Sequence, residues 1–112
     1  MITLYHNPRC SKSRACLQLL EGQGLAITLV DYMHQPLSLE RLKQFADQLG
    51  IKALVRSQET LYKELNLATA KEQTILRAII SHPQLLQRPI AIHKDRMLIA
   101  RPPEKVLELI ND

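Results

Sequence analysis

Residues 1–32, MITLYHNPRCSKSRACLQLLEGQGLAITLVDY, decide the fold. Met1 to Tyr5 reads as a short strand, and behind it Ala15, Cys16, Leu19 and Leu20 recur with the one-face spacing of an amphipathic helix. Gly22 and Gly24 supply a stop, and Leu25 to Tyr32, with β-branched Ile27, Thr28 and Val30, reads as a second strand. Strand, helix, strand implies a parallel pair joined by a right-handed crossover. That connection places Cys10 at the carboxyl end of the first strand, where open α/β sheets hold their ligands.

The junction itself, His6-Asn7-Pro8-Arg9-Cys10-Ser11-Lys12-Ser13-Arg14, gathers a thiol, an imidazole, several cations and two hydroxyls. Pro8 pushes Asn7 out of the α region, so the chain cannot turn helical until after the proline. Cys10 is therefore expected at the helix start, facing backbone N–H groups that have no partner within the helix. A free thiol ionises near ~8.5, and a helix N-terminus with neighbouring cations lowers this to ~3.5–7.5. Arg14 lies four residues on, along the same helix face. Thiolate is thus the expected resting form of Cys10, and the polar, cationic flank argues against a buried, inert cysteine.

The second cysteine has a different character. Cys16 falls on the apolar face with Leu19 and Leu20 and reads as core filler. Within one helix the two sulfurs are separated by ~9 Å along the axis, too far for a disulfide. No paired Cys-x-x-Cys or His-x-x-x-His spacing accompanies His6, Cys10 and Cys16, so no metal site is expected.

The 112 residues suit one domain, spanning 1–112, that buries a core without disulfides. Hydrophobic residues make up 46% and aromatic ones 4%, which fits an aliphatic core, and no apolar run approaches the ~20 residues of a membrane span. With no secretory pattern of basic segment, apolar stretch and small-residue cleavage site, a cytoplasmic protein with reduced thiols is expected. The net charge of +4 suits an anionic ligand or an acidic partner surface. Scattered basic residues and few aromatic rings argue against nucleic acid.

From Ser38 the pattern becomes helical. Leu39, Leu42, Phe45, Ala46 and Leu49 mark a helix capped by Ser38 and closed by Gly50. Thr69 to Glu72 reads as a capping box ahead of Ile75, Leu76, Ile79 and Ile80, with short helical turns expected over 51–67. His82-Pro83 ends that helix. Strands return at Ile90 to His93 and Met97 to Ala100 as a hairpin about Lys94-Asp95-Arg96, and Pro103 opens a closing helix with Val106, Leu107 and Ile110 inward. The order βαβ, helical insert over about 38–87, ββα predicts an α/β (α+β) fold with a sheet of about four strands.

Several separate motifs then carry a resemblance along the chain. His6-Asn7-Pro8 with Cys10 and Ser13-Arg14, then Leu54-Val55-Arg56, Arg88-Pro89-Ile90 and Arg101-Pro102-Pro103-Glu104, resemble the glutaredoxin-coupled arsenate reductase (ArsC-like) family, near its YfgD branch. The resemblance implies a thioredoxin-like fold, a four-stranded mixed sheet with a helical insertion, and a cis peptide before Pro89. It also implies Cys10 as nucleophile, supported by His6, Ser13 and Arg14, with Arg56, Arg88 and Arg101 as oxyanion ligands. The charge logic agrees, because attack by a thiolate on an oxyanion needs cations that neutralise the target, and arginine presents a permanently charged fork.

The implied reaction reduces arsenate to arsenite, with glutathione as co-substrate, glutaredoxin as partner and no tightly bound cofactor. Cys16 is badly placed to resolve an intermediate. A phosphatase-like loop would need arginine at position 16, which is cysteine, and Arg14 comes two residues early. Ser11-Lys12 replace the Gly-Thr usual in arsenate-reducing members, which leaves two alternatives open: a general glutathione-dependent thiol oxidoreductase, and an Spx-like adaptor that binds RNA polymerase without catalysis.

Overall fold

The computed structural model describes residues 1–110. The chain forms two compact units, Met1–Gln35 together with the chain from Arg88 onward, and Pro36–Gln87. The first unit holds the sheet: β1 (Ile2–His6), β2 (Ile27–Asp31), β3 (Ile90–His93) and β4 (Arg96–Ile99), with helix α1 (Ser11–Glu21) between the first two strands. The sheet is mixed, in the order β2-β1-β3-β4. β1 pairs in parallel with β2, with Ile2 opposite Ile27 and His6 opposite Asp31, and antiparallel with β3, with Tyr5 opposite Ile90. β3 and β4 form the hairpin, Ile90 opposite Ile99.

β1 is an inner strand, and Ile2, Leu4, Tyr5 and His6 are all buried. Ile2 and Leu4 pack with Cys16 and Leu20 of α1, Ala91 of β3, Ala100 just after β4, and Val106 and Leu109 of the segment that follows. Burying one such aliphatic side chain stabilises by about 1.5–3 kcal/mol, which is how a cluster this small fixes α1 on the sheet. Cys16 occupies the core position its spacing indicates, and burial pushes its thiol up to about 12.

Several element boundaries differ from expectation. β2 begins at Ile27, two residues late, and the hairpin turns over Lys94 and Asp95 alone, Lys94 having φ of 57°, so β4 starts at Arg96. The closing segment Pro103–Leu109 is a 3-10 helix with Val106 and Leu109 buried and Leu107 and Ile110 half-buried.

The second unit is helical: α2 (Leu39–Leu49), α3 (Ile51–Leu54), α4 (Thr60–Glu64) and α5 (Glu72–Ser81), with single 3-10 turns at Leu67–Thr69 and Pro83–Leu85. Ser38 caps α2 by accepting the Arg41 N–H at 3.1 Å, and Gly50, with φ of 87°, closes it. The capping box at Thr69 does not form. Asn66 in the left-handed region starts a 3-10 turn that runs through Thr69, Ala70 is extended, and Lys71 becomes the N-cap of α5 without a side-chain cap. An isolated antiparallel bridge joins Val55 to Leu86, with Arg56 N–H donating to the Leu85 carbonyl and Gln87 N–H to the Leu54 carbonyl, each at 2.7 Å. No helix among the described residues is long and apolar enough to cross a membrane.

Candidate active site

The chain leaves β1 at His6 and reaches α1 through a tight turn that local chemistry specifies. The Asn7 side chain accepts the Arg9 N–H at 3.0 Å, and the Asn7 carbonyl accepts the Cys10 N–H at 2.9 Å. Asparagine favours such turns because its side chain mimics a backbone carbonyl. The Ser13 hydroxyl accepts the Asn7 N–H at 3.4 Å, and Arg14 donates from Nη1 to the Pro8 carbonyl at 2.9 Å. The first turn of α1 thereby holds the loop that feeds it.

Cys10 is the N-cap residue of α1, in extended backbone with φ of −96° and ψ of 124°. Partial burial would raise its thiol, but hydrogen bonding from the Ser13 backbone, from the Arg88 side chain and from the Lys12 backbone outweighs this, and the Arg88 charge adds to the effect. The thiol falls from 9.0 to about 7. The helix start thus supplies N–H groups to the thiolate from within α1, while Arg88, adjoining β3, supplies a charged donor from the other neighbour of β1.

Arg88 is itself held. Arg101 donates from Nη1 to the Arg88 carbonyl at 3.0 Å, and the Ala100 N–H donates to the Pro89 carbonyl at 2.9 Å. The Arg88-Pro89 and Arg101-Pro102 bonds are both cis. Cys10, Ser13, Arg88 and Arg101 are thus connected within the sheet-bearing unit through side-chain or backbone contacts. Nothing in the sequence spacing pointed to the Arg101–Arg88 link, which joins the segment before β3 to the one after β4.

The remaining site residues are placed as follows. His6 is buried at the end of β1, and its Nδ1 has no hydrogen-bond partner. Burial lowers its pKa; Asp31 and the Ser13 backbone oppose the shift, and Arg14 reinforces it. Below its ordinary value of 6.5, the imidazole is neutral at pH 7. Arg14 is exposed and directed to Pro8. Arg56 belongs to the helical unit, where Nη1 lies 3.4 Å from Glu59 Oε2. Among the described residues no group of three His, Cys, Asp or Glu side chains is arranged to hold a metal ion.

Residues 5–109 match the model of the ArsC family, a span that takes in the turn, Cys10 and all three arginines. The chain belongs to the ArsC family. It is 42% identical over 110 residues to an arsenate reductase of Neisseria meningitidis serogroup A, covering 94% of each chain. It is 40% identical to the YfgD protein of Escherichia coli K12, over 97% of this chain and 96% of that one. The solved arsenate reductase of Vibrio cholerae superposes with a TM-score of 0.92 at 42% identity, over 96% of both chains. The ArsC fold is thioredoxin-like, and the mixed four-stranded sheet with its helical insertion follows that plan.

Proposed function

We propose that this ArsC-family protein is a glutathione- and glutaredoxin-dependent arsenate reductase. The observation that carries the proposal is the acidified Cys10 thiol with the Arg88 guanidinium bonded to it. Near neutrality Cys10 is substantially thiolate, and Arg88 offers an oxyanion the charge that lets it approach a nucleophile of the same sign.

In this reading the Cys10 thiolate attacks arsenic(V), an S–As bond forms, and one arsenate oxygen leaves as water after protonation. A glutathione thiolate then attacks the Cys10 sulfur. The S–As bond breaks with its electron pair staying on arsenic, which is released as arsenite, and Cys10 is left in a mixed disulfide with glutathione. Glutaredoxin reduces that disulfide and restores the thiolate. Arg88 and Arg101 bind the oxyanion, and Ser13 positions the nucleophile through its backbone N–H. Neutral His6 is suited to proton transfer more than to charge neutralisation. Arg56 enters by sequence resemblance, and its substitution tests that role.

The test is NADPH consumption by protein, glutathione, glutaredoxin and glutathione reductase, with and without arsenate. Arsenate-dependent turnover that is lost in Cys10→Ser and retained in Cys16→Ser is the expected result. Arg88→Ala, Arg101→Ala and Arg56→Ala should each lower the rate, by ~10²–10³ where a preorganised donor is removed. Turnover of a glutathione mixed disulfide indifferent to arsenate would replace the proposal with a general thiol oxidoreductase. Absence of both activities, with recovery of polymerase subunits from lysate, would replace it with the adaptor.

A further inference from the structure

The helical unit holds a cavity of about 290 Å³, and none of the residues lining it comes from the sheet-bearing unit. Its floor is apolar: Val55 just after α3, Leu67 in the 3-10 turn and Ile75 of α5 all line it and are all buried. The left-handed Asn66 and the turn it begins bring Leu67, Ala68 and Ala70 into the lining. Methyl side chains at two of these positions leave volume that a larger residue would occupy.

Three polar side chains complete the lining, those of Lys52, Ser57 and Tyr62. None of the three has a hydrogen-bond or ion-pair partner among the described residues. Lys52 and Ser57 are exposed and Tyr62 is half-buried, so polar heads border a buried apolar floor. Small-molecule sites share this composition, in which apolar walls supply contact and a few polar groups fix orientation. At the ~30 Å³ that a water molecule takes in the liquid, the cavity holds on the order of ten heavy atoms.

Charge narrows the occupant further. Lys52 is the sole charged residue in the lining, with no acidic side chain to neutralise it, and the two hydroxyls can donate to the same oxygens. A small inorganic anion would lose its water against Val55, Leu67 and Ile75 and gain nothing there. The floor therefore calls for an apolar body behind the charge.

We propose that this cavity is a binding site for a small amphipathic carboxylate of about ten heavy atoms, its carboxylate held by Lys52, Ser57 and Tyr62 and its apolar body by Val55, Leu67 and Ile75. Val55 and Ser57 both line the cavity, so the occupant packs on either side of Arg56 in the chain. The proposal is independent of the reading of Cys10 as a nucleophile.

Titration of the isotope-labelled full-length chain with 3-phenylpropionate, followed by amide NMR, tests it without arsenate or thiols. Saturable shifts centred on residues 51–57 and 67–75 are expected, with a Kd at or below ~1 mM. The uncharged 3-phenylpropanol should bind about fivefold more weakly, a modest factor because Lys52 is exposed. Lys52→Gln should erase that preference and Lys52→Arg should keep it. Ala70→Leu and the exposed Ala68→Leu fill the cavity, and each should weaken both compounds about tenfold or more. Lys52→Gln, a surface change, decides the matter even where a filling variant does not fold. Absence of saturable shifts, shifts centred elsewhere, equal affinity for acid and alcohol, or a preference that survives Lys52→Gln would each overturn the proposal.

Discussion

A thiol that ionises near pH 7 combines a large thiolate fraction at neutrality with nucleophilicity that has not been lost to excessive acidity. For Cys10 this balance depends on donors that act only in the folded chain. Alkylation followed by peptide mass analysis should give half-maximal labelling of Cys10 near pH 7, with Cys16 unlabelled until the protein unfolds. Arg88→Ala should shift the Cys10 midpoint upward, weakening the ionisation constant by roughly tenfold, because a charged hydrogen bond to the thiolate is removed. Arg88→Lys should recover part of it. The sign for stability follows from linkage. The folded-state pKa of Cys10 is depressed, so its contribution is fully present above about pH 9 and is lost as pH falls through about 7. Cys16 acts oppositely, losing its contribution as pH rises from 9 towards 12. Cys10→Ser should therefore flatten the rise in Tm between pH 7 and 9, measured by thermal denaturation.

At the scale of elements, the helix caps offer a direct comparison. Ser38→Ala removes the oxygen that accepts the Arg41 N–H and should cost about 1 kcal/mol in denaturant unfolding. Lys71 occupies the corresponding position of α5 in the same extended conformation but provides no cap. Lys71→Asp should raise stability by about 0.5–2 kcal/mol, because it adds both an acceptor and a charge favourable to the helix dipole. The two caps also show why the chain was only partly legible. At Ser38 the cap immediately precedes an apolar periodic run, and the structure agrees. At Thr69 an equally good motif is overridden by the left-handed Asn66 and the 3-10 turn it begins, where the Thr69 hydroxyl donates to the Asn66 carbonyl. Spacing cannot reveal a competing turn upstream.

On the scale of the whole molecule, the strand-helix-strand start and the final hairpin were legible because each is local and periodic. The contact between Cys10 and Arg88 was not, since it joins segments from opposite ends of the chain, and only family resemblance named both residues. The contact of His34 with Asp31 was missed for a related reason. His34 carried no recognisable motif, and its pairing with Asp31 needs the loop geometry after β2. The shared core should be sensitive throughout the sheet-bearing unit. Leu20→Ala, at a fully buried position, should cost about 2–5 kcal/mol, read from the urea midpoint, with loss of Cys10 acidity only as the protein unfolds.

The central place of β1 has a consequence for how the protein is made. Its antiparallel partner β3 and Arg88, which hydrogen-bonds Cys10, are translated more than seventy residues after it. Before that point the thiol lacks the Arg88 donor and has only the Ser13 and Lys12 N–H groups of α1 to lower its pKa. The full acidity of Cys10 therefore arrives only once the segment leading into β3 has joined the sheet beside β1.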